Sequence, residues 1–430
     1  MKALRVGICG LGTVAQGVFR VLQDNADIIS RRAGREILIS VVASRTPKPD
    51  VDLGGAVFST DVFSIPAHPD VDVVVELIGG EDAALRIIES SIEQSKNVVT
   101  ANKAVIALHG KKLFQSLSSK GLCIGFEGAV AGSVPIVMSL SEALAANEYD
   151  LIAGIINGTS NYILTAMAKE GRSFDEALRA AKKLGYAEAD PTFDIEGIDA
   201  AHKLTILAAM AFDIGFHYEA INTEGISDIT LADIKYARQL GYEIKHVGIS
   251  RRTSDGIEIR VHPALIPLEH LMSRIDGSMN ALLVHSNAAG DTLMAGPGAG
   301  ELPTASAVVG DLIRIARGNI SPINIDLGSP GRIVATENIT SAYYLRIPSL
   351  DKAGVFARVA TILSDYDISI EAAIQQEQIK PGKDDQDWVP IVILTHLVQE
   401  KLMIDAIRKV QDLPEVIGPI TRIRVEQLDQ

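Results

Sequence analysis

Five short apolar runs punctuate the first 126 residues: 3–9 (ALRVGIC), 37–43 (ILISVVA), 71–77 (VDVVVEL), 97–100 (NVVT) and 123–126 (CIGF). Their β-branched content and length read as buried strands. Between them, 14–23, 83–94 and 111–120 carry apolar residues at helical spacing. Strands alternating with helices predict an α/β unit built on a doubly wound parallel sheet.

The texture changes after Phe126. Residues 135–145, 160–170, 174–184 and 197–212 have a helical period, and strand-like runs fall at 151–156, 256–261 and 281–285. This predicts an α+β second domain with a mixed sheet. Gly296-Pro297-Gly298-Ala299-Gly300 breaks the chain, and 305–317 then reads as a helix that packs back on the first domain. Residues 318–340 are rich in Pro, Gly, Ser and Asn and read as a linker. From 342 onward a βαββαβ order follows, with strands at 343–347, 368–375, 389–394 and 420–425 and helices at 355–364 and 401–410. The charged tract 377–387 is expected to be a loose hairpin loop.

A chain of 430 residues exceeds what one core supports, which agrees with two or three domains. The net charge of −14 argues against a nucleic-acid or acidic-membrane partner, while leaving room for a local basic pocket. No run approaches the ~18 apolar residues of a membrane span. The N-terminus lacks the longer apolar region and cleavage site of a signal peptide. Cys9 and Cys123 both lie in strand-like runs, so a disulfide framework is not expected and a reducing cytoplasm fits.

The first run leads into Gly10-Leu11-Gly12-Thr13-Val14-Ala15, which matches G-x-G-x-x-G/A between a strand and a helix. Gly10 permits the tight turn, Gly12 allows the backbone to approach a pyrophosphate, and Ala15 allows close helix packing. The helix N-terminus would face the phosphates. An ordinary glycine-rich loop is the alternative, but strand, turn and helix agree on a dinucleotide site. A strand that ends in an acid would favour NAD; here the second run ends Ala43-Ser44-Arg45-Thr46-Pro47-Lys48. Arg45 could take a 2′-phosphate in a forked contact, which points to NADP, with NAD possible. A solvated basic turn is the alternative.

Residues 186–203 gather Glu188, Asp190, Asp194, Glu196, Asp199 and Lys203. Asp199 and Lys203 share a face of the predicted helix, and such pairs are commonly exposed. The following run Leu204-Thr205-Ile206-Leu207-Ala208-Ala209 instead suggests a largely buried helix, so the charges call for a functional reason. Lys103 follows a strand end on the cofactor side; a surface lysine opening a helix is the alternative. In Asn157-Gly158-Thr159-Ser160-Asn161, Ser160 is a plausible N-cap, and the turn could line a cleft. The nine histidines show no zinc-type spacing, and His202 reads as packing or surface.

The stretches GICGLGTVAQGV, ELIGG, VVTANKAVIA, FEGAVAGSVPI, IINGTSNYILT, GYAEADPTFDIEGIDAAHKLTILA and GPGAGELPTASAVVGDL together resemble homoserine dehydrogenase over nearly the whole length. The likeness is to the monofunctional kind, with no kinase domain expected before the dehydrogenase. It implies NAD(P)H-linked interconversion of aspartate 4-semialdehyde and homoserine in threonine, methionine and isoleucine biosynthesis. Reducing an aldehyde leaves charge on oxygen, which a cationic acid stabilises and protonates. The resemblance assigns Lys203 as proton donor, with Asp199 beside it as the other catalytic residue. It makes Glu188 substrate-binding, and puts Asp194 and Asp199 where the family places substrate or orients the lysine. An unperturbed lysine titrates near ~10.4; burial would lower that, and Asp199 would oppose the fall.

The expected cofactor-binding set is Gly10, Leu11, Gly12, Thr13, Val14, Arg45, Thr100, Lys103 and Gly300. Residues 127–134 resemble the family's monovalent-cation loop, with sodium the expected ion; Glu127, Val130, Gly132 and Val134 are expected to contribute mainly backbone carbonyls. A domain hinge is the alternative. Leu350-Asp351-Lys352-Ala353-Gly354-Val355-Phe356, a helix, then Ile368-Ser369-Ile370 resemble an ACT domain of ferredoxin-like fold. The turn at 352–354 could receive an effector carboxylate, threonine being the natural hypothesis, and a dimerising module is the alternative.

The expected division is therefore a Rossmann-type dinucleotide domain over 1–130 with a return helix at 303–320, a catalytic and dimerisation domain over 131–302, a linker over 321–340 and the ACT domain over 341–430. A homodimer or homotetramer is implied. Two rivals remain: an acylating semialdehyde dehydrogenase would need a thiolate, for which neither cysteine is placed, and a non-catalytic cofactor-sensing regulator would not need Glu188, Asp199 and Lys203 together.

Overall fold

The computed structural model describes residues 2–318, 331–375 and 388–428. The predicted tract 377–387 and most of the predicted linker lie outside these residues.

The first sheet is formed by β1 (Leu4–Cys9), β2 (Ile37–Ala43), β3 (Val57–Ser59), β4 (Val73–Glu76), β5 (Asn97–Thr100) and β6 (Ile124–Gly125). Its order, β3-β2-β1-β4-β5-β6, is parallel throughout. This is the Rossmann-type arrangement anticipated from the alternating pattern. The helices are α1 (Thr13–Asp24), α2 (Ala26–Ala33), α3 (Asp82–Glu93) and α4 (Lys103–Lys120). β3 and α2 escaped the sequence reading: β3 is a three-residue edge strand and α2 shows a polar face. Cys9 pairs with Ala43 and Glu76, and Glu76 with Thr100, so the four central strands end along one edge.

A short helix, α5 (Ile136–Met138), runs into a π-helical turn at Ser139–Ala143, where the sequence predicted one continuous helix. The second sheet begins with β7 (Tyr149–Ile155). Its helices are α6 (Gly158–Glu170), α7 (Phe174–Lys183), α8 (Thr192–Ile195) and α9 (Ile198–Phe212), followed by β8 (Asn222–Thr223) and α10 (Leu231–Gln239). Then come β9 (Tyr242–Thr253), β10 (Gly256–Pro267), β11 (Met279–Ser286), β12 (Gly290–Pro297) and α11 (Glu301–Arg317). Gly296 and Pro297 finish β12 and are not part of the chain break expected there. α11 returns to the first domain as predicted: Ala305, Val308 and Leu312 share a core with Val6, Ile8, Val18 and Phe19.

The C-terminal residues form β13 (Thr340–Leu350), α12 (Val355–Asp365), β14 (Ile370–Gln375), β15 (Trp388–Thr395), β16 (Val398–Gln399), α13 (Glu400–Gln411) and β17 (Thr421–Val425). Apart from the two-residue β16, the βαββαβ order is as expected. Its strands are not a separate sheet, however. β17 pairs in parallel with β10 at Ala264–Arg424 and Leu265–Val425, giving one eleven-stranded sheet. Among the described residues no helix is long and apolar enough to cross a membrane.

Candidate active site

The glycine turn leaves β1 at the shared strand edge. Gly10 has φ +106°, and a side chain there would meet the Leu77 carbonyl at 2.6 Å, so glycine is required by the protein itself. Gly12 differs: an added Cβ would meet nothing within 4 Å. The protein leaves that space open, as close approach of a phosphate would demand. Gly12 caps α1 without a side-chain hydrogen bond, and the first turn holds no acid. The N–H groups of Thr13 and Val14 therefore begin a helix whose positive end is uncompensated. Leu11 is buried beneath the turn. Arg45 is exposed two residues beyond the end of β2, whose last residue, Ala43, accepts from Gly10 N at 2.7 Å. Gly300, with φ +128°, caps α11, whose first residue Glu301 packs against Gly17 of α1.

Thr100 lies at the same edge but is fully buried. Its hydroxyl donates to Glu76 Oε2 at 2.6 Å and accepts from the Asn102 N–H at 3.0 Å. A cofactor contact from this residue would fall to its main chain.

Across the cleft, α9 carries Asp199 and Lys203, both buried. Lys203 Nζ donates to Asp199 Oδ2 at 2.7 Å and to the Ile156 carbonyl at 2.7 Å. Lys103, from the first domain, reaches the other oxygen of Asp199 at 2.9 Å. Two lysines from different domains thus share one carboxylate. Burial pulls the Lys203 ammonium below its ordinary value; Asp199 opposes the fall and Lys103 adds to it. Burial acts on Lys103 in the same sense, but Asp199, with Asp194 and Glu188 behind it, holds this ammonium above its ordinary value. Burial alone would raise the Asp199 carboxyl, yet the two lysines hold it well below the carboxylate range.

Asn157 completes the cluster. Its Nδ2 donates to Asp194 Oδ1 and to Asp199 Oδ2, each at 2.8 Å, and its Oδ1 accepts from Ser160 N at 2.8 Å. Asn157, not Ser160, is therefore the N-cap of α6. Ser160 instead donates to the Asp194 carbonyl at 3.0 Å. The reading of this turn missed that one side chain could cap a helix and join two carboxylates. The available signal was an asparagine two positions beyond a strand end. Burial raises the Asp194 carboxyl.

The acids of 186–203 separate by role. Glu188 is exposed after α7, near enough for its charge to act on Lys103. Asp190 accepts from Thr192 N and Oγ1 and so organises a local turn, whereas Glu196 accepts from Ser227 and ties this segment to a later loop. His202 is buried between the rings of Phe193 and Tyr218, in keeping with a packing role. Lys103 Nζ also stands 5.4 Å from the Phe193 ring centre.

The segment Glu127–Val134 is buried except for half-buried Gly128 and Ser133. The Glu127 carboxylate accepts from Val137 and Met138 N–H at 2.9 and 2.8 Å, so its side chain caps α5. Burial, then Asp311, pushes this carboxyl up to about 7. Ala131 and Gly132 have φ +55° and +57°, and Gly132 packs against the Gly298 backbone. Among the described residues no three His, Cys, Asp or Glu side chains are grouped to hold a metal. Burial raises the thiols of Cys9 and Cys123 away from the reactive thiolate.

A parallel sheet with an open glycine turn, facing a buried lysine–carboxylate cluster, defines a nicotinamide-linked oxidoreductase. Two family models match: "Homoserine dehydrogenase, NAD binding domain" over residues 10–127 and "Homoserine dehydrogenase" over residues 135–313. The homoserine dehydrogenase of Pseudomonas aeruginosa is 49% identical over 100% of both chains, and that of Neisseria gonorrhoeae is 46% identical over 100% of both. A crystal structure of a homoserine dehydrogenase from Thiobacillus denitrificans superposes with a TM-score of 0.93 at 46% identity, covering 99% of each chain. The chain belongs to the homoserine dehydrogenase family. It is an oxidoreductase that interconverts L-aspartate 4-semialdehyde and L-homoserine with a nicotinamide cofactor. The acylating and non-catalytic alternatives fall away.

Proposed function

We propose that Lys203 is the proton donor in aldehyde reduction. The observation that carries this is the hydrogen-bond count at its ammonium. Of three N–H groups, two are spent on Asp199 and Ile156. Among the described residues no other acceptor takes the third, which leaves it for the substrate oxygen. The nicotinamide cofactor, when bound, supplies the hydride. Lys203 then stabilises the developing negative charge and passes its proton to that oxygen. Asp199 holds Lys203 and Lys103 in place. Asp194, fixed through Asn157, and Glu188 at the rim receive the substrate ammonium.

The cofactor lies over Gly10, Leu11, Gly12, Thr13 and Val14, with Thr100, Lys103 and Gly300 bounding its nicotinamide side. Exposed Arg45 is free to fork onto a 2′-phosphate, which favours NADP. The carbonyls of Glu127, Val130, Gly132 and Val134 suit a monovalent cation such as sodium. The fit rests on the left-handed residues 131 and 132, which reverse the buried backbone, and on the Glu127 side chain being used elsewhere.

The domain division is 1–130 with return helix 303–320, 131–302, linker 321–340 and 341–430. The last unit is an ACT module, because its strands follow the order β17-β13-β15-β14 with two helices, the ferredoxin-like arrangement. Threonine is its effector, with its carboxylate at the Lys352-Ala353-Gly354 turn that opens α12. The enzyme is cytoplasmic and self-associates as a dimer or tetramer through its second domain.

Lys203→Ala tests the central assignment. The expected loss in kcat is about 10²–10⁴-fold with cofactor affinity retained. Near-normal kcat would refute it.

A further inference from the structure

Glu76 is fully buried at the end of β4, yet among the described residues no ammonium or guanidinium contacts it. Burial raises its carboxyl above the ordinary range, and hydrogen bonds from Thr100 and Ile78 oppose that rise. A side chain placed only for packing would be better apolar, as in the valines before it, because buried polar groups cost stability unless paired. Its bonds run instead to both loops that bound the cofactor edge. Oε1 accepts from Ile78 N at 2.9 Å, fixing the 77–80 loop. Oε2 accepts from Thr100 Oγ1 at 2.6 Å, and Thr100 Oγ1 in turn accepts from Asn102 N at 3.0 Å. Asn102 ties the loops together: Nδ2 donates to the Gly80 carbonyl at 2.6 Å, and Oδ1 accepts from Val105 N at 3.2 Å, capping α4. The next residue is Lys103, which meets Asp199 across the cleft at 2.9 Å.

We infer that Glu76 is a positioning residue for the reaction: through Thr100 and Asn102 it fixes where α4 begins, and so where the Lys103 ammonium stands against Asp199. This rests on Lys103 belonging to the active site. Glu76 does not touch the cleft. Its effect is geometric, and small displacements of a site group suffice to slow catalysis.

The test uses the full-length enzyme with Glu76→Gln, Thr100→Val and Thr100→Ser, the last keeping the hydroxyl. Two readouts are taken: kcat with aspartate semialdehyde, and the rate at which Lys103 reacts with an amine-modifying reagent in cofactor-free protein. Thermal midpoints accompany both. Glu76→Gln and Thr100→Val should each lower kcat by about tenfold, as expected for a misplaced site group. Lys103 labelling should accelerate in both, while Thr100→Ser, which keeps the hydroxyl on Glu76, should label at the wild-type rate. In a Lys103→Ala background, Glu76→Gln should cost nothing more. Wild-type kcat and labelling in Glu76→Gln and Thr100→Val would overturn the inference, as would losses that add fully to Lys103→Ala or merely follow the thermal midpoint. If Glu76→Gln does not fold, the Thr100 pair decides alone. If Lys103→Ala is itself fully active, the reading of Lys103 fails, while labelling still reports on Glu76.

Discussion

Lys203 and Lys103 sit on the same carboxylate but are driven in opposite directions. The difference is burial: the Lys203 side chain is 10% exposed, while that of Lys103 is 32% exposed. A donor whose ammonium is destabilised gives up its proton more readily, which suits aldehyde reduction near neutral pH. The alkaline limb of the reductive kcat profile should therefore fall below the ~10.4 of a free lysine. Lys103→Ala removes a neighbouring positive charge and should move that limb to higher pH. Asp199→Asn removes the opposing negative charge and should move it lower. Measured profiles with unmoved limbs would separate Lys203 from the proton step. At this scale the sequence was informative where spacing alone sufficed. The i,i+4 pair was legible, and so was Gly10. Lys103 opposite Asp199 was not, because 96 positions of chain separate them. Nor was Asn157, whose two carboxylate partners come from later elements.

At the scale of elements, the first sheet was legible, its edge strand β3 apart, because each of its other strands is a short apolar run. The elements that were missed have mixed patterns. β9 reads YEIKHVGISRRT, and its charges look like a loop's. Lys245 is buried there because Ile275 O and Asp276 satisfy its ammonium, a pairing absent from the local sequence. The return of α11 onto the first domain depends on a close helix contact. A Cβ at Gly17 would come within 2.7 Å of the Glu301 carbonyl. Gly17→Ala should push α11 outward and destabilise by about 1–3 kcal/mol, as overpacking does. Because α11 begins at Gly300, cofactor affinity should weaken with it. Denaturant unfolding and cofactor titration of the variant would check both effects.

Across the whole molecule, the C-terminal unit is bound to the catalytic domain by buried charge. Arg424 pairs with Glu224 and Glu400, Arg346 with Asp233, and Glu426 with Arg260. The Glu224 carbonyl bonds His246 Nε2 at 3.0 Å, and that ring packs against Gly197, which caps α9. Arg424→Ala should destabilise by less than the about 3–5 kcal/mol of a fully broken buried pair, because Arg422 still meets Glu400 and half-buried Glu224; a thermal midpoint equal to wild type would contradict this. Removing 341–430 would strip the same partners and expose the edge of β10, so threonine sensitivity is better tested by substitution at Lys352 than by truncation.

The sequence by itself determined the glycine turn after β1, the order of most elements and the charged i,i+4 pair on α9. Those depend on local periodicity, on conformations open to glycine and on spacing within one helix. Only the tertiary structure decided which charges meet. It brought Lys103 to Asp199, joined Asp194 to Asp199 through Asn157, and set β17 beside β10. Contacts between distant segments depend on how whole faces are buried together, and a run of residues does not carry that information. Glu76 belongs to both: the sequence displays an acid closing a valine strand, and the fold supplies the loops it holds.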